Sequence, residues 1–461
     1  MKARAHSMPA ACPETRPSVH IMQVAVSCTH PLLLLKQALP WEAITEAMTR
    51  HWRQHGKNVD GGPGLPWDIS LYVPLVVLML IKTFDSRQME AYVAENVVAR
   101  VFIGRHCDAQ AQIRDHSNIA RAYAALGKAG IDEVNHLVIQ EAHRYGFIDE
   151  GVLSADTTAQ ELPIGYPNEP GILRGLAQRC GRALTQLVKR GLCGLDRAQE
   201  QVQTILRSVK EHHLFTTGKA DKREVLTRIV KEVGALIVQT RPLVERLETS
   251  ADRAIQSARA RLMAMHEVIK PLMGQIVQWI STGKVAANKI VHVGIPQARA
   301  IVRNKSGKKT EFGLAYLISR VGGGYLFGER IAANADERQM PLKALWGYRA
   351  IFGQEATPEL IVYDRGGDST ATRQQLALAG IKDVGIQPKG KRPWSVAEGV
   401  QEQICSERGR TEGSIGTLKS NRYKFNKPQE RLWQTLEMAG PRSILSFNLN
   451  KFMRDLVALT Q

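Results

Sequence analysis

Asp156 closes the run Val152-Leu153-Ser154-Ala155-Asp156-Thr157-Thr158, which starts apolar, is rich in small and β-branched residues, and reads as a buried strand ending in a carboxylate. Asp364 stands in the same position after Leu360-Ile361-Val362-Tyr363. A third acid, Glu412, lies in a stretch whose helical spacing puts Glu412, Ile415 or Gly416, and Lys419 on one face. Two strand ends and a helix can thus aim three carboxylates at one point. Magnesium takes such hard oxygen ligands, and two ions about 3.5 to 4 Å apart clamp the attacking and leaving oxygens of an in-line phosphoryl displacement. One ion would make a water, and then a 3′ hydroxyl, a better nucleophile, while the other holds the departing oxygen. Manganese is expected to substitute for magnesium. Each acid also has an ordinary reading: Asp156 as a turn cap, Asp364 as a loop aspartate before glycines, Glu412 as a solvated helix-face glutamate. Their joint placement favours the metal site, with Asp156, Asp364 and Glu412 as both catalytic residues and ligands.

Cations flank these acids. Arg365, Arg408, Arg410 and Lys419 are placed to hold scissile and flanking phosphates, or to pair with the acids as salt bridges. Further on, Lys419, Arg422, Lys424, Lys427 and Arg431 interleave with Tyr423 and Phe425, a pattern suited to backbone contact with base stacking or to packing of the two rings on the core. Lys389, Lys391, Arg392 and Trp394 would approach an unpaired base. The whole chain is basic, with 62 Lys plus Arg against 44 Asp plus Glu in 461 residues and a formal charge of +18, which points to a polyanionic partner.

Other chemistries fall away. The six cysteines form no C-x-x-C pair, which argues against a disulfide framework and a zinc site and fits a reducing cytoplasm. His212-His213 and His106-Cys107-Asp108 lack the remaining ligands of a zinc site. Gly307-Lys308-Lys309-Thr310 ends like a phosphate loop, but Val302 stands where its first glycine is required. The most apolar stretch, residues 73–81, is about half the roughly 20 residues needed to cross a bilayer.

The elements that must position the acids follow from periodicity. Residues 1–40 read as a loose tail. Residues 41–149 form a helical domain suited to DNA-end binding or to mere support, with Asp115 or Ser117 capping a helix near Asn118 and Gly130 and Gly146 marking helix ends. Residues 150–171 and 286–425 carry the strands: one near Asp156, a hairpin at 311–320 and 325–331 joined by Gly322-Gly323-Gly324, a helix at 342–352, the strand before Asp364, a helix at 370–379 and a strand at 383–387. That succession predicts an α/β fold, a ribonuclease H-like mixed sheet flanked by helices. Residues 172–285 interrupt it with apolar stripes such as Leu173, Leu176, Cys180, Leu184, Leu187, divided by Gly218 and Pro242, and predict an inserted helical bundle or coiled-coil arm. Residues 426–461 end in a helix whose Leu445, Leu449, Phe452 and Leu456 pack on the core.

Three segments resemble those of bacterial insertion-sequence transposases of the DDE type. Asp156-Thr157-Thr158-Ala159-Gln160-Glu161-Leu162-Pro163-Ile164-Gly165-Tyr166-Pro167 is similar to their first-aspartate motif, and Val362-Tyr363-Asp364-Arg365-Gly366-Gly367-Asp368-Ser369 to their second. Arg410-Thr411-Glu412-Gly413-Ser414-Ile415-Gly416-Thr417-Leu418-Lys419 resembles their third-acid helix with its trailing lysine. Lys308-Lys309-Thr310-Glu311-Phe312-Gly313 and the helical run 114–149 add to the likeness, which covers roughly residues 41–456. The resemblance implies magnesium-dependent cleavage of double-stranded DNA at terminal inverted repeats, joining of 3′ ends to target DNA, a homo-oligomer that synapses two ends, and a place at the bacterial nucleoid in the cytoplasm, with no membrane partner. Two features depart from the family pattern, the length of the helical insertion and Gly367, where a bulkier residue is more familiar. A catalytically silent DNA-binding relative and a helical scaffold remain the alternative readings.

Overall fold

The computed structural model describes residues 26–60, 67–105, 115–305, 308–388, 390, 393–394, 396–430 and 432–461. It is a mixed α/β protein built on a six-stranded mixed sheet flanked by helices.

Six helices precede the sheet: α1 (Pro31–Ala38), α2 (Trp41–Gln54), α3 (Ile69–Lys82), α4 (Ser86–Glu95), α5 (Val97–Phe102) and α6 (His116–Arg144). Short polar side chains start several of them. Asp68 accepts from the Leu71 amide, Asp85 forms a capping box with Gln88, and Asp115 accepts from the Ser117 amide. Gly146, at φ 76, follows the end of α6 as its spacing predicts. Gly130 does not end a helix; the break inside α6 is at Gly127, with φ 63 and ψ −179. Gly130 instead lets α2 approach, since a Cβ there would lie 3.1 Å from the His51 ring.

Two sequence expectations for this region need correction. The loose tail does not reach residue 40, because α1 buries Leu32 and Leu35. Nor do residues 41–149 have a core of their own. Trp52, Ile119, Val134 and Val138 join Leu153, Ala155, Leu317 and Tyr363 of the sheet in one hydrophobic cluster. The apolar stretch at 73–81 lies in α3 and is almost wholly buried there. Among the described residues no single helix is long and apolar enough to cross a membrane.

The strands are β1 (Val152–Glu161), β2 (Arg299–Lys305), β3 (Lys308–Val321), β4 (Leu326–Ile331), β5 (Leu360–Tyr363) and β6 (Asp383–Ile386). β1 is central, antiparallel to β3 from Leu153↔Val321 to Glu161↔Gly313 and parallel to β5, which is parallel to β6. The far edge of the long β3 carries β4 and β2 end to end. β2 has no counterpart in the sequence-based assignment. The Gly322–Gly324 turn of the β3–β4 hairpin is as predicted; at Gly323, φ is 86 and a Cβ would overlap the Phe147 carbonyl oxygen.

Between β1 and β2 the chain forms α7 (Glu169–Val188), α8 (Asp196–Leu214), α9 (Lys219–Arg246) and α10 (Arg253–Thr282). Their apolar stripes face one another: Leu173, Leu176, Cys180 and Leu184 pack with Val202, Ile205, Ile229, Val233 and Leu262 in a core separate from that of the sheet. The insertion is a four-helix bundle. Gly218 caps α9 at its start, but Pro242 lies inside α9 and does not divide it.

The remaining helices sandwich the sheet. α11 (Met340–Phe352) and α12 (Thr370–Leu378) share the face covered by α6, while α13 (Glu398–Leu418) packs on the opposite face, with Ile404 against Val152, Leu360 and Val362. A single turn, α14 (Trp433–Leu436), leads into α15 (Ala439–Leu459), whose Leu445, Leu449, Phe452 and Leu456 are buried in the sheet-side core as expected.

Candidate active site

Strand register brings the first two acids together. Ser154 of β1 is the parallel partner of Val362 of β5, and Asp156 and Asp364 each stand two residues further on. Side chains two apart on a strand share a face, so both carboxylates emerge at the same end of the sheet and on the same side. Asp364 also starts a 3-10 turn, Arg365–Gly367, and accepts a 2.8 Å hydrogen bond from the Gly366 amide.

Glu412 is delivered by α13. The buried stripe of this helix, Ile404, Glu407, Thr411, Ile415 and Leu418, recurs at three and four. Two polar contacts fix it. Thr411 Oγ1 donates to Ser154 Oγ at 2.8 Å, and Arg320 of β3 pairs with Glu407 at 2.6 Å, both inside the core. Ser154 and Arg320 face each other across β1 and β3. The residue after Thr411 turns outward, so the exposed Glu412 looks over the strand ends.

Asp156, Asp364 and Glu412 line one open cleft of roughly 1160 Å³, with Arg408, Ile415, Gly416 and Lys419 on its α13 side. The helix face predicted from spacing is therefore the cleft face. The opposite wall comes from both ends of the insertion, Tyr166 and Pro167 at its start and Val285, Asn288 and Lys289 at its end, continued by Arg299 and Phe312. Lys289 is held by Glu169 and by the Pro167 carbonyl at 3.1 Å. Arg299 donates to the Ala298 carbonyl at 2.9 Å. Tyr166 is 84% exposed and meets Phe312 edge to face.

A fourth acid, Glu337, also lines the cleft; it sits in a 3-10 turn before α11 and had no marker in the sequence. Its carboxylate lies against Gly366, where a Cβ would come within 2.0 Å of Glu337 Oε2. Beneath the acids lies the buried ring of Tyr363. Burial pushes its phenol well above the ordinary tyrosine value, and the charges of Asp364, Asp156 and Glu337 push it further. Gly367 is explained by the same ring, because a Cβ there would lie 2.5 Å from Tyr363 Cδ1. Among the described residues no three acidic, histidine or cysteine side chains are gathered closely enough to hold a metal ion.

The predicted phosphate-binding cations divide. Arg408 and Lys419 line the cleft. Arg410, exposed, pairs with Glu407 at 2.5 Å, and Arg365 is exposed on the turn after Asp364. Arg422 and Lys424 are engaged elsewhere: Arg422 donates to Asn450 Oδ1 at 2.7 Å and Lys424 Nζ to the Thr83 carbonyl at 2.8 Å. Tyr423 and Phe425 are fully buried, which excludes them as stacking platforms and gives the core-packing reading. Trp394 packs against the Val152 cluster under α13. Lys389, Lys391, Arg392, Arg431, Gly307 and His106-Cys107-Asp108 lie outside the described residues. Comparison of the chain with protein-family models, with curated proteins and with solved structures gave no match.

Proposed function

We propose that the chain is a DNA transposase of the DDE type, with a ribonuclease H-like catalytic domain that cleaves DNA at the inverted repeats of its own element and joins the 3′ ends to target DNA. The observation that carries this reading is the register that puts Asp156, within β1, level with Asp364, just past the end of the parallel β5, on a cleft that Glu412 overlooks from α13. The basic charge of the chain and the Arg408 and Lys419 side chains at the cleft rim support a phosphodiester as the ligand.

Asp156, Asp364 and Glu412 are the residues that would hold magnesium, or manganese in its place. Their chemistry fits: three hard oxygen donors on one open cleft, whose described lining holds no cysteine or histidine. Bound there, the metal would supply Lewis-acid activation of a water or 3′ hydroxyl and stabilisation of the departing oxygen. The chain's own work is positional. The sheet fixes the two aspartates, the Thr411–Ser154 bond fixes the helix that carries Glu412, and Arg408 and Lys419 neutralise phosphate oxygens on the strand being cut. Glu412, exposed on a helix face, would complete the ligand set from the α13 side. A homo-oligomer joining two DNA ends at the bacterial nucleoid follows from the same reading.

The spread of the acids favours one second reading, a DNA-binding relative that does not cut. Cleavage of a labelled duplex carrying the flanking inverted repeat separates the two. We expect the wild-type chain to cut with magnesium or manganese and not with a chelator present, and Glu412→Gln to bind the duplex without cutting it. Binding without cutting by the wild type as well would assign the silent reading.

A further inference from the structure

We infer that the inserted bundle is a second DNA-binding element, and that the groove between α7 and α8 with the arginines at its edge holds duplex DNA outside the cleft. The inference rests on the transposase reading for its ligand class, but its residues are distinct from those of the cleft.

The groove has a volume of about 550 Å³ and is lined by Gln178, Gly181, Arg182 and Thr185 of α7 and by Gln199, Val202, Gln203 and Leu206 of α8. Each helix contributes its face at spacings of three and four. Gly181 brings the helices close, since a Cβ there would lie 3.1 Å from Val202 Cγ1. The lining offers three side-chain amides, a hydroxyl and one guanidinium, and no carboxylate. Amide and guanidinium groups are the donors and acceptors that meet phosphates and base edges.

The second observation is a cluster of like charge that joins Arg182 of the groove to the α10 side of α7. Arg179 lies among Arg182 of its own helix and Arg261 of α10, and burial together with these two cations lowers its proton affinity. Arg261 reaches across to α7, donating to Gln186 Oε1 at 2.9 Å. Three arginines of the bundle do have carboxylate partners: Arg228 pairs with Glu211, Arg259 with Glu248 at 3.3 Å and Arg190 with Asp252 at 3.7 Å. Among the described residues no carboxylate pairs with Arg179, Arg182 or Arg261. Three guanidiniums gathered without a counter-charge repel one another, and a polyanion removes that repulsion while releasing its own counterions. The bundle is joined to the sheet at the cleft wall, beside Tyr166 and Lys289.

The test is equilibrium binding of a labelled linear duplex to the full chain over a range of salt concentrations, for wild type and Arg182→Gln/Arg261→Gln. Both arginines are exposed, and the double variant should keep the wild-type fold, read from a circular dichroism melt. We expect the double variant to bind about tenfold more weakly and its log–log salt slope to fall by about 2. A folded double variant with wild-type affinity and slope would overturn the groove assignment and leave the cleft reading standing. Duplex that the wild type does not bind at all would overturn both. A double variant that binds duplex normally but loses binding of an acidic polypeptide would overturn DNA as the occupant.

Discussion

The interior of the inserted bundle is aliphatic, with Leu176, Leu184, Ile205, Ile229, Val233 and Leu262 packed stripe on stripe, and its two buried hydroxyls bond between neighbouring helices, Ser208 to Glu232 at 3.0 Å and Thr240 with His266 at 2.8 Å. The sheet region buries long-range polar pairs as well. Arg320 meets Glu407, Thr411 meets Ser154, and Asn448 of α15 bonds both Asn135 of α6 and the Leu326 backbone of β4. Apolar packing is tolerant of small shifts, whereas a buried ion pair or hydrogen bond fails if its partners move by an ångström. Two of these pairs, Arg320–Glu407 and Thr411–Ser154, fix the helix that carries Glu412, where position matters.

Breaking the sheet-side pairs should therefore cost most. Glu407→Ala leaves the Arg320 guanidinium buried without a counter-charge, and we expect a loss of about 3–5 kcal/mol in a denaturant titration, together with loss of cleavage as α13 detaches. Leu262→Ala, at a fully buried position of the bundle, should cost about 2–5 kcal/mol but act locally. Cys180 reads this out: buried in the bundle core, with its thiol pushed up to about 12 by burial, it should resist alkylation in the native chain and be labelled in Leu262→Ala at denaturant concentrations that leave the sheet intact. Simultaneous loss of both regions would show that the two cores unfold as one. Gly367→Ala forces a Cβ against the Tyr363 ring and should cost about 1–3 kcal/mol with a drop in cleavage, because Gly367 lies in the turn that Asp364 starts. Thr411→Val, nearly isosteric, removes one hydrogen bond worth about 1 kcal/mol and should lower cleavage more than stability.

Strong local periodicity made the bundle, the β3–β4 hairpin and the final helix legible in the sequence. Short apolar runs ending in an acid did the same for β1 and β5. What sequence did not reveal depends on distant partners. Nothing local tells that Trp52 and Val134 share a core with Leu153, that Leu32 and Leu35 are covered by α15 and its neighbours, or that Glu337 meets Gly366 across two turns. β2 has its apolar residues, Ala300, Ile301 and Val302, in one run flanked by basic residues, without strand alternation, and pairs with β3. The segment 419–431 misled because alternating basic and aromatic residues suit a nucleic-acid face and a core edge equally; burial of Tyr423 and Phe425 decides between them. The cleft acids were legible singly, and their neighbourhood follows from the Ser154↔Val362 register, which no single segment encodes.

The central claim is that Asp156, Asp364 and Glu412 act as one unit, and the most direct measurement is single-turnover cleavage of the inverted-repeat duplex by Asp156→Asn, Asp364→Asn, Glu412→Gln and the triple variant, each checked for duplex binding. Groups that act together fail together. The account predicts that each single variant binds the duplex and cuts no faster than the triple variant. Wild-type cleavage by any one of the three single variants would contradict it.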